Sequence, residues 1–64
     1  MPVVIVMLWE GRSVDQKRNL TKAITDAMER HVGASPESLQ IAIQEFPREN
    51  WATAGVLGID RKGV

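Results

Sequence analysis

Residues Val3–Trp9 read VVIVMLW, an unbroken apolar run rich in β-branched side chains. Its brevity and composition predict a strand rather than a helix. A strand sends alternate side chains to opposite faces. One set is Val3, Ile5, Met7 and Trp9; the other is Val4, Val6 and Leu8. Both sets are apolar, so the strand requires cover on both sides. That requirement is severe in a chain of 64 residues. A domain this small buries only about 60% of the surface its unfolded chain exposes. Such domains are commonly stapled by disulfides, a metal or a partner subunit. With no cysteine and a single histidine, His31, the first two are excluded and association is left.

The rest of the chain supplies one helix and a second strand. After the loop Glu10-Gly11-Arg12, Ser13 with Gln16 three residues on forms a capping box. A helix follows from about Val14 to Val32, with Leu20, Ala23, Ile24, Ala27 and Met28 as its apolar stripe. Gly33 stops it. Ser35-Pro36 resembles a short second start signal. Leu39–Phe46 alternates as a second strand, which Pro47 ends, and Arg48–Trp51 makes a turn. The tail, with Gly55, Gly58 and the segment 60–63, suggests a short hairpin or arm. The expected fold is therefore α/β: a β-α-β unit with a two-stranded parallel sheet, one main helix and a C-terminal hairpin, all in one domain over residues 2–64. One helix covers one face of such a sheet. The opposite face predicts packing against another subunit.

Charge and hydropathy narrow the class of function. Eight Lys plus Arg balance eight Asp plus Glu, which gives no support for a nucleic-acid or membrane-surface binder. The apolar run is too short to span a bilayer and lacks the flanks of a signal peptide. The cytoplasm is the default compartment.

Most catalytic sets are missing. There is no cysteine or tyrosine, and Ser13, Ser35 and Ser38 all have cap or turn explanations. His31 lies near the helix C-terminus, where the dipole favours an imidazolium, and it lacks ligand partners. Pro2 is different. A small residue after the initiator generally permits removal of Met1, which leaves a secondary amine. An ordinary α-amino group titrates near roughly 7.7–8.0. An apolar setting or a nearby guanidinium disfavours the ammonium and brings a general base close to neutrality. Many chains begin Met-Pro without consequence, so the start alone is a weak signal. Arg12 offers a planar fork for a carboxylate, though spacing alone reads it as a surface loop residue. Trp51 suits either a core plug or the wall of an apolar pocket, and Trp9 reads as packing.

Taken together the chain resembles the 4-oxalocrotonate tautomerase family. The proline start, the apolar strand, Leu8, Glu10-Gly11-Arg12-Ser13, Asp15-Gln16-Lys17, the amphipathic helix and the second strand match in order. So does Glu45 to Trp51, followed by Gly55. The resemblance implies a β-α-β subunit assembled as a homohexamer, often a trimer of dimers. It implies cofactor-free keto–enol isomerisation, by 1,3- or 1,5-proton transfer, of unsaturated 2-hydroxy or 2-oxo acids. Pro2 would be the general base. Arg12 would bind the remote carboxylate of a small acid, Leu8 and Trp51 would line the pocket, and neighbouring subunits would share each site. One departure matters. Where the best-known members carry a second arginine, this chain has Gln40, a neutral donor, so a monoacid substrate fits as well as a diacid unless Arg48, which the sequence cannot place, takes that arginine's part. Two other readings remain open. Relatives with the same proline hydrate or dehalogenate unsaturated acids, with Glu45 or Glu49 as the carboxylate here. A chain that kept Met1 would have a blocked nitrogen and serve only as an oligomeric binding module.

Overall fold

A computed structural model describes residues 2–61. Met1, and with it the question of its removal, lies outside the described residues, as do residues 62–64 at the end of the expected arm. Strand β1 is Val3–Trp9, helix α1 is Val14–Val32 and strand β2 is Gln40–Phe46. β1 and β2 pair in parallel, from Val3 opposite Gln40 to Trp9 opposite Phe46. The Ser13 hydroxyl accepts the Gln16 N–H at 3.1 Å, and the Gln16 side chain accepts the Ser13 N–H at 2.8 Å. The helix closes at Gly33, whose N–H donates to the Glu29 carbonyl at 3.1 Å. Ser35-Pro36 does not start a helix. It makes a tight turn, in which the Ser38 N–H donates to the Ser35 carbonyl. Arg48–Asn50 is one turn of 3₁₀ helix. The tail is a hairpin of β3, Ala52–Thr53, and β4, Val56–Leu57, paired antiparallel. Its turn residues Ala54 and Gly55 both have positive φ, 54° and 79°, as a two-residue I′ hairpin requires.

The helix covers one face of the sheet. Val4, Val6 and Leu8 on β1, with Ile41, Ile43 and Glu45 on β2, are half-buried beneath it. The helix presents Lys17, Leu20, Thr21, Ile24, Thr25 and Met28 in return, also half-buried. This corrects the expected stripe: Ala23 and Ala27 are exposed, and two threonines take the inward rows. Those threonines tolerate the position because each satisfies its own hydroxyl on the helix. Thr21 donates to the Arg18 carbonyl and Thr25 to the Thr21 carbonyl. Lys17 tolerates it because its ammonium meets Glu45 of β2 at 2.5 Å.

The other face is bare over most of its length. Val3, Ile5 and Met7 are 56, 61 and 55% exposed, and no hydrophobic residue among those described is fully buried. At the carboxyl end the same face carries Trp9 and Phe46, and here the tail folds over it. Gly58 is the one fully buried residue among those described. A Cβ there would stand 2.7 Å from the Trp9 ring and 3.0 Å from the Arg48 carbonyl oxygen. Only glycine lets the two backbones and the indole come together.

Gly58→Ala is therefore expected to lower stability by about 1–3 kcal/mol, the scale of overpacking. Denaturant titration at fixed protein concentration measures it; an unchanged midpoint would mean that the tail does not sit on Trp9.

Candidate active site

The residues singled out by the sequence separate into two groups at opposite ends of the sheet. Pro2 and Gln40 occupy the amino end. Pro2 is half-buried, and its carbonyl accepts the Gln40 N–H at 3.1 Å. Gln40 is exposed and alternates onto the bare face with Ala42 and Gln44. Leu8, Arg12 and Trp51 occupy the carboxyl end. Leu8 is the penultimate residue of β1, and Arg12 follows in the exposed loop before the helix cap. Trp51 packs its indole on Phe46, with ring centroids 5.4 Å apart and planes tilted by 55°. This contact joins Trp51 to the end of β2. The Trp51 carbonyl also accepts the Gly58 N–H at 2.8 Å, which ties it to the hairpin.

The separation of the two groups follows from strand geometry. At roughly 3.3 Å per residue, β1 carries the chain about 20 Å from Pro2 to Trp9. The helix then runs back, so Arg12 stays at the far end. Within one subunit the proposed base and the proposed carboxylate binder do not meet.

Leu8 and Arg12 do meet. With Gln16, Lys17 and Leu20 they line an open cleft of about 220 Å³ between the start of the helix and the end of β1. Leu8 and Leu20 give it an apolar floor. Arg12 gives it a guanidinium with no carboxylate partner among the described residues, whereas Lys17 is neutralised by Glu45. The cleft thus offers one unspent positive charge beside apolar carbon, an arrangement that suits a small organic anion. A second hollow, of about 280 Å³, is walled by Thr21, Lys22, Thr25 and Asp26 of the helix alone. Its formal charges cancel and its threonine hydroxyls are already donating. It brings together none of the residues with suitable chemistry. Among the described residues there is no group of three or more acidic or histidine side chains able to hold a metal ion. No helix among them is long and apolar enough to cross a membrane.

The family profile described as tautomerase enzyme matches residues 2–61 of the chain. The chain is a member of the tautomerase family. A probable tautomerase of Staphylococcus saprophyticus is 43% identical over 61 residues, covering 95% of this chain and 100% of that protein. The 2-hydroxymuconate tautomerase of Bacillus subtilis is 42% identical over 55 residues, covering 86% and 89%. The crystal structure of YwhB, a homologue of 4-oxalocrotonate tautomerase, superposes with a TM-score of 0.90 at 38% identity, covering 95% of this chain and 100% of that one. The β-α-β unit with its C-terminal hairpin is thus the 4-oxalocrotonate tautomerase fold, and this tautomerase is an isomerase.

Two contacts at the tautomerase's carboxyl end escaped the sequence reading. The Lys17–Glu45 pair was signalled by a lysine three and four residues before Leu20 and Thr21, on the inward rows. The other is the seat of Arg48, whose guanidinium carbon lies 4.6 Å from the centroid of the Trp9 ring. Trp9 shares the alternating set of Val3, Ile5 and Met7, so the strand period places it on the bare face. The position of Arg48 depends on the 3₁₀ turn, which no periodic pattern announces.

Loss of Arg12 tests the cleft. Arg12→Ala is expected to reduce kcat/KM on an enolised 2-oxo acid by roughly 10²–10³, the scale for one lost electrostatic stabiliser. Unchanged turnover would remove Arg12 from the site.

Proposed function

We propose that this tautomerase isomerises unsaturated 2-hydroxy and 2-oxo acids, with the secondary amine of Pro2 as general base and no cofactor. The observation that carries this reading is that the tautomerase match begins at Pro2 itself, the one residue able to present a ring amine. Arg12, the unneutralised cation of the cleft, supplies the anion-binding half of the same chemistry.

The reaction needs only one proton carrier. The Pro2 nitrogen accepts the proton of the 2-hydroxyl group, the O–H bond breaks and the C2 carbonyl forms. The electrons of the double bond move away from C2, and the Pro2 ammonium returns its proton to C3 or, in a conjugated dienol, to C5. Proton count and charge balance without any other reactant. Arg12 holds the carboxylate remote from C2 and draws electron density toward it. Leu8 and Trp51 keep the pocket apolar, which disfavours the ammonium form of Pro2 and keeps the base free. Gln40, beside Pro2, donates a neutral hydrogen bond to the substrate end that carries the 2-oxygen.

Because Pro2 and Arg12 stand at opposite ends of β1, the complete site requires two or more copies. Assembly also covers Val3, Ile5 and Met7. At roughly 1.5–3 kcal/mol per fully buried aliphatic side chain, covering the exposed halves of these three contributes about 2–5 kcal/mol per subunit. That is a large share of the roughly 5–15 kcal/mol that stabilises a folded domain. We take the assembly to be a homohexamer, and the tautomerase to work in the cytoplasm on a small carboxylic acid.

The pH profile and the state of the terminus test the mechanism together. With Met1 removed, as verified by intact mass, kcat/KM is expected to rise with pH through the amine titration and then level. Covalent trapping of the amine is expected to abolish it. A profile that falls over the same range would assign the ammonium as an acid and favour hydration or dehalogenation. Full activity with Met1 retained would remove Pro2 from the chemistry.

A further inference from the structure

Three polar side chains line the cleft between the start of the helix and the end of β1, and they differ in what they already hold. The Gln16 side chain accepts the Ser13 N–H at 2.8 Å, so it is committed to the helix cap. The Lys17 ammonium donates to Glu45 at 2.5 Å. Arg12 makes no ion pair among the described residues. Two cations therefore line one small cleft, and only one of them is occupied.

The anion that occupies Lys17 comes from outside the cleft. Glu45 stands on β2 directly opposite Leu8 and is not one of the lining residues. Its bond to Lys17 joins helix to sheet across 28 positions of sequence. The two side chains are only 28 and 27% exposed. Solvent and salt screen a partly buried pair less than a surface pair. Lysine carries a compact charge on a flexible four-carbon stem, so its ammonium goes where an anion holds it. Among the described residues Lys17 has no carboxylate partner besides Glu45. A partly buried cation left without its partner is costly, and an anion entering the cleft would relieve that cost.

Resting on the tautomerase reading, we propose that Glu45 is a positioning residue for the substrate: by holding Lys17 it leaves Arg12 as the free cation of the cleft, and so fixes where the carboxylate lies. Two free cations would offer two registers along the cleft. In one, the carboxylate meets Arg12 and the conjugated carbons face the Pro2 amine of a neighbouring subunit. In the other, it meets Lys17 and the reacting carbons are displaced from that amine. A misplacement of about 1 Å costs catalysis on the order of a hundredfold. The second register thus holds substrate without turning it over. Glu45 acts through Lys17 and touches no reacting atom.

The first arm of the test assays a 2-hydroxydienoate that carries the remote carboxylate. Glu45→Gln is expected to lower kcat and KM together, by roughly threefold or more, with kcat/KM within about twofold of wild type. Unproductive binding competes with productive binding and leaves the transition state as it was. A merely structural loss would lower kcat/KM instead. The second arm starts from Arg12→Ala and measures hexanoate binding by calorimetry. Adding Glu45→Gln is expected to tighten Kd about tenfold, the scale of one charge-assisted hydrogen bond, because Lys17 is now free to take the carboxylate. Adding Lys17→Met as well is expected to abolish that gain. A gain that survives without Lys17 would reflect only the lost negative charge and would overturn the proposal. So would no gain at all, or a Glu45→Gln enzyme with reduced kcat/KM and KM unchanged or raised. Circular dichroism and elution volume identify a Glu45→Gln protein that has lost its fold or assembly, and in that case Arg12→Ala alone decides. With Lys17 still held, hexanoate affinity is expected to fall about tenfold or more; affinity retained would mean that Lys17 takes the carboxylate with Glu45 in place, which overturns the proposal. If the wild-type protein turns over no such acid, the tautomerase reading fails while the hexanoate arm still decides this one.

Discussion

The face of the sheet that the helix does not reach governs much else in this molecule. One helix is wide enough to cover one side of two strands, and β1 is apolar on both. Val3, Ile5 and Met7 remain more than half exposed, and no described hydrophobic residue is fully buried. A chain in that condition lacks the burial that offsets the entropy of ordering its backbone. The subunit alone therefore leaves that face uncovered, and the proposed assembly covers it.

The same strand that creates this demand also divides the chemistry. β1 sets Pro2 at one end and Leu8, with Arg12 beyond it, at the other, about 20 Å apart by strand rise. The tail then reinforces the carboxyl end. Gly58 fits against Trp9, Arg48 lies on that indole, and Trp51 leans on Phe46. One end of the sheet is left as a proline with an amide neighbour. The other becomes an apolar corner that carries the guanidiniums of Arg12 and Arg48, neither with a carboxylate partner among the described residues. In the proposed mechanism each end is incomplete, and each holds what the other lacks. Oligomerisation in this reading stabilises the fold and completes the site through the same contact.

Much of this was legible in the sequence because the signals were local. The capping box at Ser13 and Gln16 marks the helix start without any tertiary information, and Gly33 marks its end. The alternation of Gln40 to Phe46 and the proline after it gave the second strand to within one residue. Less legible was whatever depended on which helix rows meet the sheet. Ala23 and Ala27 look inward by hydropathy, yet Thr21 and Thr25 take those places because their hydroxyls bond to the helix itself. Lys17 is a buried-row cation only because Glu45 waits across from it. Ser35-Pro36 carried a valid start signal with no apolar row behind it, and a turn resulted. In the site, the sequence named Leu8 and Arg12, which share a cleft, but it could not place Arg48 on Trp9. That contact spans the sheet end and a 3₁₀ turn, and it has no sequence period.

The division of one active site between copies can be tested by mixing two inactive variants. Pro2→Ala subunits keep Arg12, and Arg12→Ala subunits keep Pro2. Unfolded together in equal amounts and reassembled, they form sites in which the intact proline of one copy faces the intact arginine of another. Random assembly is expected to restore about a quarter of wild-type activity, from two parents that each show almost none. Activity no greater than the average of the two parents, with mixed assemblies verified by native mass measurement, would mean that proline and arginine act from the same chain or not together at all.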